Sequence, residues 1–170
     1  MLEVAPGALA DRPVQPKAGF TRFIRREPLG LVFVIAPWNY PYLTAVNSIV
    51  PALAAGNTVL LKHSAQTPLC AERFQQAFDA AGLPPGVFQH LHMSHTAALE
   101  IAGSGAAGLV AFTGSVPAGR AVEAAASGAL IATNLELGGK DPAYVREDAD
   151  LDHAVANLVD GVCFNSGQSC

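Results

Sequence analysis

Cysteine is scarce in this 170-residue chain: there are three, Cys70, Cys163 and Cys170, and no CxxC pair. An odd count at those spacings argues against a disulfide framework or a cysteine-built zinc site. It makes a reducing compartment, the cytoplasm, the expectation. Charge is scarce too. Charged residues make up 14% and the formal net charge is −4, so no electrostatic case exists for nucleic acid as a partner. The small basic group Arg22, Arg25 and Arg26 is diluted by Glu27 and reads as solvated surface. An unbroken apolar run of membrane length is also missing. Leu43 to Leu61 comes near, but Asn47, Pro51, Gly56 and Asn57 interrupt it, and two shorter buried elements account for it better. The first residues lack a basic stretch followed by an apolar one, so they do not read as a secretory signal. His90, His92 and His95 cluster without a cysteine or carboxylate at ligand spacing, so they read as strand-end and loop histidines and no metal is expected.

What is present is apolar residue, 51% of the chain. A chain of this length can bury roughly 70% of its unfolded surface in one core. Residues 1–28 are polar and dotted with proline, and read as a lead-in arm. An alternation follows. "LVFVIA" (31–36) is a short continuous apolar run, as in a strand buried on both faces. "YLTAVNSIVPALAAG" reads as a helix stopped near Gly56 despite Pro51. "TVLLK" is a second strand. The next helix has Thr67 as cap, Pro68 in first position and Gly82 at its close. "VFQHL", "LVAF" and "LIATNLE" are further strands, with "HTAALEIAG" and "PAGRAVEAAA" as helices between them. "AYV" is expected as a short strand, and "LDHAVANLVDGVCF" as a helix. Alternation of this kind predicts an α/β fold: a doubly wound, Rossmann-like parallel sheet with helices on both faces. The expected organisation is the arm (1–28), a nucleotide-binding domain (29–137) and the incomplete beginning of a catalytic domain (138–170).

Ligands of such sheets sit at the carboxyl ends of the strands, and several motifs fall there. "GSGAAG" (103–108) matches G-x-G-x-x-G but follows a helix and leads into a strand, the reverse of the dinucleotide fingerprint, so it reads as a linker. "GSVPAG" (114–119) follows a strand and opens a helix. Its amides and the helix dipole could hold a pyrophosphate, although it lacks the Lys-Ser/Thr of a Walker loop. "PWNYP" (37–41) places Trp38 and Asn39 at a strand end, where the bland reading of Trp38 is a packed turn residue. "LELGGK" places Glu136 at another strand end among apolar neighbours, where desolvation would lift its pKa towards general-base range; the bland reading pairs it with Lys140. A carboxylate, an amide and the thiol of "FNSGQSC" supply a base, an oxyanion donor and a nucleophile.

With "APWNYP", "PALAAGNTVLLK", "FTGSVPAGR", "LELGGKDP" and "FNSGQSC" in this order, the chain resembles the aldehyde dehydrogenase superfamily from about Glu27 to Cys170. The resemblance implies an NAD- or NADP-dependent oxidation of an aldehyde to a carboxylic acid, in a cytoplasmic enzyme whose full-length form is a homo-oligomer. It implies that Cys170 is the nucleophile, Glu136 the base and Asn39 an oxyanion donor. Lys62 would reach the adenosine ribose, and Gly114 and Ser115 the pyrophosphate. Ile35, Trp38, Gly119 and Leu137 are the further cofactor positions it implies. Departures occur at His63, where proline is usual, at Ser94, where glycine is usual, and at Ala65, where many NAD-preferring members carry an acid. Ala65 leaves NAD against NADP open. The family pattern continues well past Cys170. The expectation is therefore a fragment, catalytically inert or nearly so as an isolated polypeptide, with an apolar face left bare. A nucleotide-binding or interaction module without catalysis is the alternative.

Overall fold

The computed structural model describes residues 1–170. Its core is a five-stranded parallel sheet. In chain order the strands are β3 (Leu31–Ile35), β4 (Thr58–Lys62), β5 (Phe88–His90), β6 (Leu109–Gly114) and β7 (Ala132–Leu137), and across the sheet they run β5-β4-β3-β6-β7. Before it lie a short helix α1 (Ala5–Leu9) and an antiparallel pair of two-residue strands, β1 (Arg12–Pro13) and β2 (Phe23–Ile24). The arm buries no residue; Arg25 holds Asp11 at 2.9 Å across it, which lowers the Asp11 pKa.

β3 shows why the sheet is central. Five apolar residues in a row would leave one face greasy and wet unless both faces were covered. Successive side chains alternate between faces. Val32 and Val34 enter one core with Ala45 and Ile49 of α2 (Pro41–Ala54) and Ala71 of α3 (Leu69–Ala80). Phe33 and Ile35 enter the other, with Ala98 and Ala102 of α4 (His95–Gly103) and Val122 of α5 (Val116–Ser127). Each valine, isoleucine or phenylalanine among them contributes about 1.5–3 kcal/mol on burial. Phe74, Phe78 and Phe88 close the first core around β5, the Phe78 and Phe88 rings lying 4.7 Å apart.

Asn57 clamps the entry to this sheet. It is buried, its Oδ1 accepts from the Leu29 and Gly30 amides at 2.6 and 3.2 Å, and its Nδ2 donates to the Ala52 carbonyl at 2.9 Å. Three polar groups of two connections are satisfied by one side chain. "GSGAAG" lies between α4 and β6, as a linker should. Gly108 is required there because a Cβ would strike the Leu29 carbonyl oxygen.

Two local expectations fail. Ala143–Val145 form no strand, since no neighbouring strand offers them a ladder. Thr67 does not cap α3, whose N-cap is Pro68 without a side-chain bond; the Thr67 hydroxyl is engaged by His63 instead. The last helix, α6 (Leu151–Cys163), is capped by the Asp150 carboxylate on the His153 amide at 3.0 Å. α6 buries none of its residues: Leu151, Val155, Val159 and Val162 stay exposed, so this helix carries a bare apolar face. No helix is long and apolar enough to cross a membrane.

Candidate active site

The chain leaves β3 outward to β4 and β5, then returns to place β6 on the other side of β3. β3 and β6 therefore diverge at a topological switch point, and the crevice beyond their carboxyl ends is where such sheets bind ligands. A cavity of about 550 Å³ opens there. Nine of the ten expected site residues border it: Ile35, Trp38, Asn39, Lys62, Gly114, Ser115, Glu136, Leu137 and Cys170. Gly119 does not. It is buried in α5 behind the wall, where a Cβ would lie 2.6 Å from Leu137 Cδ2.

The pleat sorts these side chains. Ile35, Lys62, Phe112 and Leu135 occupy one register row and project to the α4/α5 side. Lys62 is 4% exposed among them with no hydrogen-bond partner, and burial pushes its pKa below the ordinary lysine value. The first turn of α5 closes that side. Ser115 is its N-cap, its Oγ accepting from the Ala118 amide at 3.4 Å, and Pro117 has no amide to offer. The Ser115 and Val116 amides are left without an intrahelical acceptor at the positive end of the helix. A buried cation and free amides facing one cavity suit an anionic nucleotide. Trp38 borders it 43% exposed, so the packed-turn reading of that ring does not hold.

Glu136 stands one residue on from Leu135 and so projects to the opposite face, in the row of Thr113 and Ala36. β7 is an edge strand with no helix over that face, which leaves Glu136 exposed. The apolar burial expected around it is absent, and so is the Lys140 ion pair. Three residues later the chain meets the thiol segment: the Gly139 amide donates to the Cys170 carbonyl at 2.8 Å. Asn39 reaches the same segment from the other side, its Nδ2 donating to the Gln168 carbonyl at 2.7 Å. Asparagine, acid and sulfur thus border one cavity, although they come from three separate stretches of chain.

The partners of several residues were not readable from the sequence. Tyr40 bonds Ser169 through their hydroxyls at 3.0 Å, 129 residues apart. His63 is 3% exposed, with Nε2 at 3.0 Å from the Pro41 carbonyl and Nδ1 at 3.1 Å from the Thr67 hydroxyl. A carbonyl only accepts, so Nε2 carries the proton and Nδ1 accepts from Thr67. Ser94 caps α4 on the Ala97 amide at 3.1 Å, which puts His95 on the cavity wall. His92 does meet a carboxylate, Glu72 at 3.3 Å, but no group of three such residues is arranged to hold a metal.

The model of the aldehyde dehydrogenase family matches residues 4–170. The chain belongs to that family. Among aldehyde dehydrogenases it is 42% identical over 162 residues to a probable NADP(+) succinate-semialdehyde dehydrogenase of Synechocystis, covering 95% of this chain and 36% of that protein. It is 42% identical over 170 residues to succinate-semialdehyde dehydrogenase [NADP(+)] 1 of Mycobacterium tuberculosis H37Rv, covering 99% of this chain and 37% of that protein. Succinic semialdehyde dehydrogenase from Streptococcus pyogenes, solved with NADP+, superposes with a TM-score of 0.90 at 28% identity, covering 99% of this chain and 37% of that one. The chain therefore spans a little over a third of the length of these aldehyde dehydrogenases.

Proposed function

We propose that this chain supplies the nucleotide-binding domain (29–137) and the thiol-bearing start of the catalytic domain (138–170) of a cytoplasmic, NADP-dependent aldehyde dehydrogenase. The observation that carries this reading is the single cavity bordered by Asn39, Glu136 and Cys170 together with Lys62 and Ser115. The NADP assignment draws on the names of the relatives and on two features of the β4 end. Lys62 offers a partnerless cation, and Ala65 offers no carboxylate to repel a 2′-phosphate. An aldehyde is the substrate class; a semialdehyde is the choice the relatives suggest.

The chemistry follows from the donors. The Cys170 thiolate adds to the aldehyde carbon, and the carbonyl π pair moves to oxygen. The Asn39 amide has two hydrogens. One holds Gln168, and the second is free for that oxyanion; a donor in this role is worth about 10²–10³ in rate. Re-forming the C=O bond expels the C–H electron pair as hydride, and a nicotinamide nucleotide, held in the cavity by Lys62 and the first turn of α5 at Ser115, would supply the hydride acceptor. A thioester remains on Cys170. Glu136 removes a proton from water, hydroxide adds to the thioester carbon, and the C–S bond breaks to release the carboxylic acid and the thiolate. An exposed carboxylate suits this last step, because it must meet water.

The test is pre-steady-state formation of NADPH by the complete protein. Glu136→Gln is expected to give a burst of about one equivalent per chain and then stall, since acylation precedes the step that needs the base. Cys170→Ser is expected to give no burst while still binding NADP. A wild-type protein that binds NADP but oxidises no aldehyde overturns the proposal in favour of a binding module.

A further inference from the structure

We propose that Tyr40 and Ser169 form a hydroxyl latch that positions the Cys170 sulfur; this rests on the reading of Cys170 as the nucleophile. The segment from Phe164 to Cys170 turns sharply before the sulfur. Every one of its side chains is exposed, and three consecutive residues, Asn165, Ser166 and Gly167, have positive φ values of 49°, 57° and 71°. The hydrogen bonds that reach this segment are made across the cavity. Those bonds come in register. Asn39 holds the Gln168 carbonyl at 2.7 Å, and the next residue, Tyr40, holds the Ser169 hydroxyl at 3.0 Å. Beyond them the Gly139 amide holds the Cys170 carbonyl at 2.8 Å. The residues before the sulfur are tethered from the β3 side and the sulfur's own backbone from the β7 side.

Tyr40 is built for a fixed direction. It adopts the left-handed conformation, φ 46° and ψ 52°, which a residue with a Cβ rarely takes. The first turn of α2 pins it there: the Thr44 amide and hydroxyl both donate to the Tyr40 carbonyl at 2.9 Å. A rigid aromatic arm on a pinned backbone can hold a hydroxyl at a set place, which is what presenting a nucleophile requires. Tyr40 and Ser169 are positioning residues; neither needs to touch the substrate.

The experiment uses Tyr40→Phe, Ser169→Ala, their combination and Ser169→Thr in the complete protein. The first keeps the ring and the second lies on the surface, so the fold is retained. The readout is alkylation of cofactor-free protein by iodoacetamide, measured peptide by peptide as the rate at Cys170 against a free-thiol standard added to each sample. Each single variant is expected to change the ratio of the Cys170 rate to that of the standard by about threefold or more in the same sense, the size of one net hydrogen bond. The double variant is expected to match the singles, because two ends of one bond act as a unit. Ser169→Thr, which keeps the hydroxyl, is expected to match wild type. kcat should fall in parallel with the KM for nucleotide unchanged. A smaller change in the ratio, or a double variant that multiplies the single effects, overturns the latch. The alkylation readout needs no aldehyde, so it stands apart from any failure of the proposed reaction.

Discussion

His63 makes stability depend on pH in a direction the structure fixes. Burial is the main reason its pKa lies below the ordinary 6.5. The positive charges of Lys62 and His92 add to that, and bonds to the Pro41 and Ser64 backbone oppose it. The unfolded chain takes up a proton at His63 as pH falls through 6.5, while the folded chain does so only lower. The unfolded state therefore binds more protons in that window. Stability from this residue is fully present above pH 6.5 and is lost as pH falls from there towards the depressed folded value. One proton limits the slope to about 1.36 kcal/mol per pH unit, so moving from about pH 7.5 to about pH 5.5 removes at most about 1.4 kcal/mol. His63→Leu fills the same space but deletes the bonds to Pro41 and Thr67, at about 0.5–1.5 kcal/mol each, and leaves a carbonyl without its donor. Urea denaturation of both proteins at the two pH values checks this. The wild type should lose stability on acidification and the variant should lose less, by up to about 1.4 kcal/mol. Should the leucine variant fail to fold, His63→Gln keeps an amide donor for Pro41 without the titration. An equal acid loss in wild type and variant would refute the reasoning.

Asn57→Ala removes three hydrogen bonds at a buried junction. A loss of about 2–4 kcal/mol is expected in the urea midpoint, against a few tenths for alanine at an exposed position of the same loop. Ala65→Glu brings a carboxylate beside the β4 end. At about 4 Å and an effective dielectric near 20 a unit charge repels by about 4 kcal/mol; with solvent screening a rise of about tenfold or more in the KM for NADP is expected, with the KM for NAD unchanged or lower. Steady-state kinetics with both nucleotides measure it, and an unchanged NADP preference would place the phosphate elsewhere.

The parallel sheet was legible because its signal is local. Val32 to Ile35 have no polar residue to spare for either face, and glycines stand where α2 and α3 end. Trp38, Asn39, Gly114, Ser115 and Glu136 were legible as strand-end positions, whereas Ile35, Lys62 and Leu137 entered only through the resemblance of short motifs to a family. What failed needed distant information. Ala143 to Val145 have strand-forming side chains but no edge to join. Thr67 looks like a helix cap until a histidine four residues earlier folds back on it. Glu136 has apolar neighbours in sequence, yet alternation turns it away from Leu135 and Leu137 towards a face that no helix covers. Tyr40 and Ser169 cannot be paired from sequence at all: each is an ordinary turn residue until the sheet brings their segments together.

β3 is laddered on both sides, whereas the stretch bearing Cys170 is held by single bonds from Asn39, Tyr40 and Gly139. The two halves of the crevice therefore differ in stiffness. The sheet side is tied by continuous ladders, and the sulfur side is tied to it by three separate hydrogen bonds. A crevice walled in this way has one side that shifts only if a ladder of bonds breaks together and another whose bonds to the wall are separate and few.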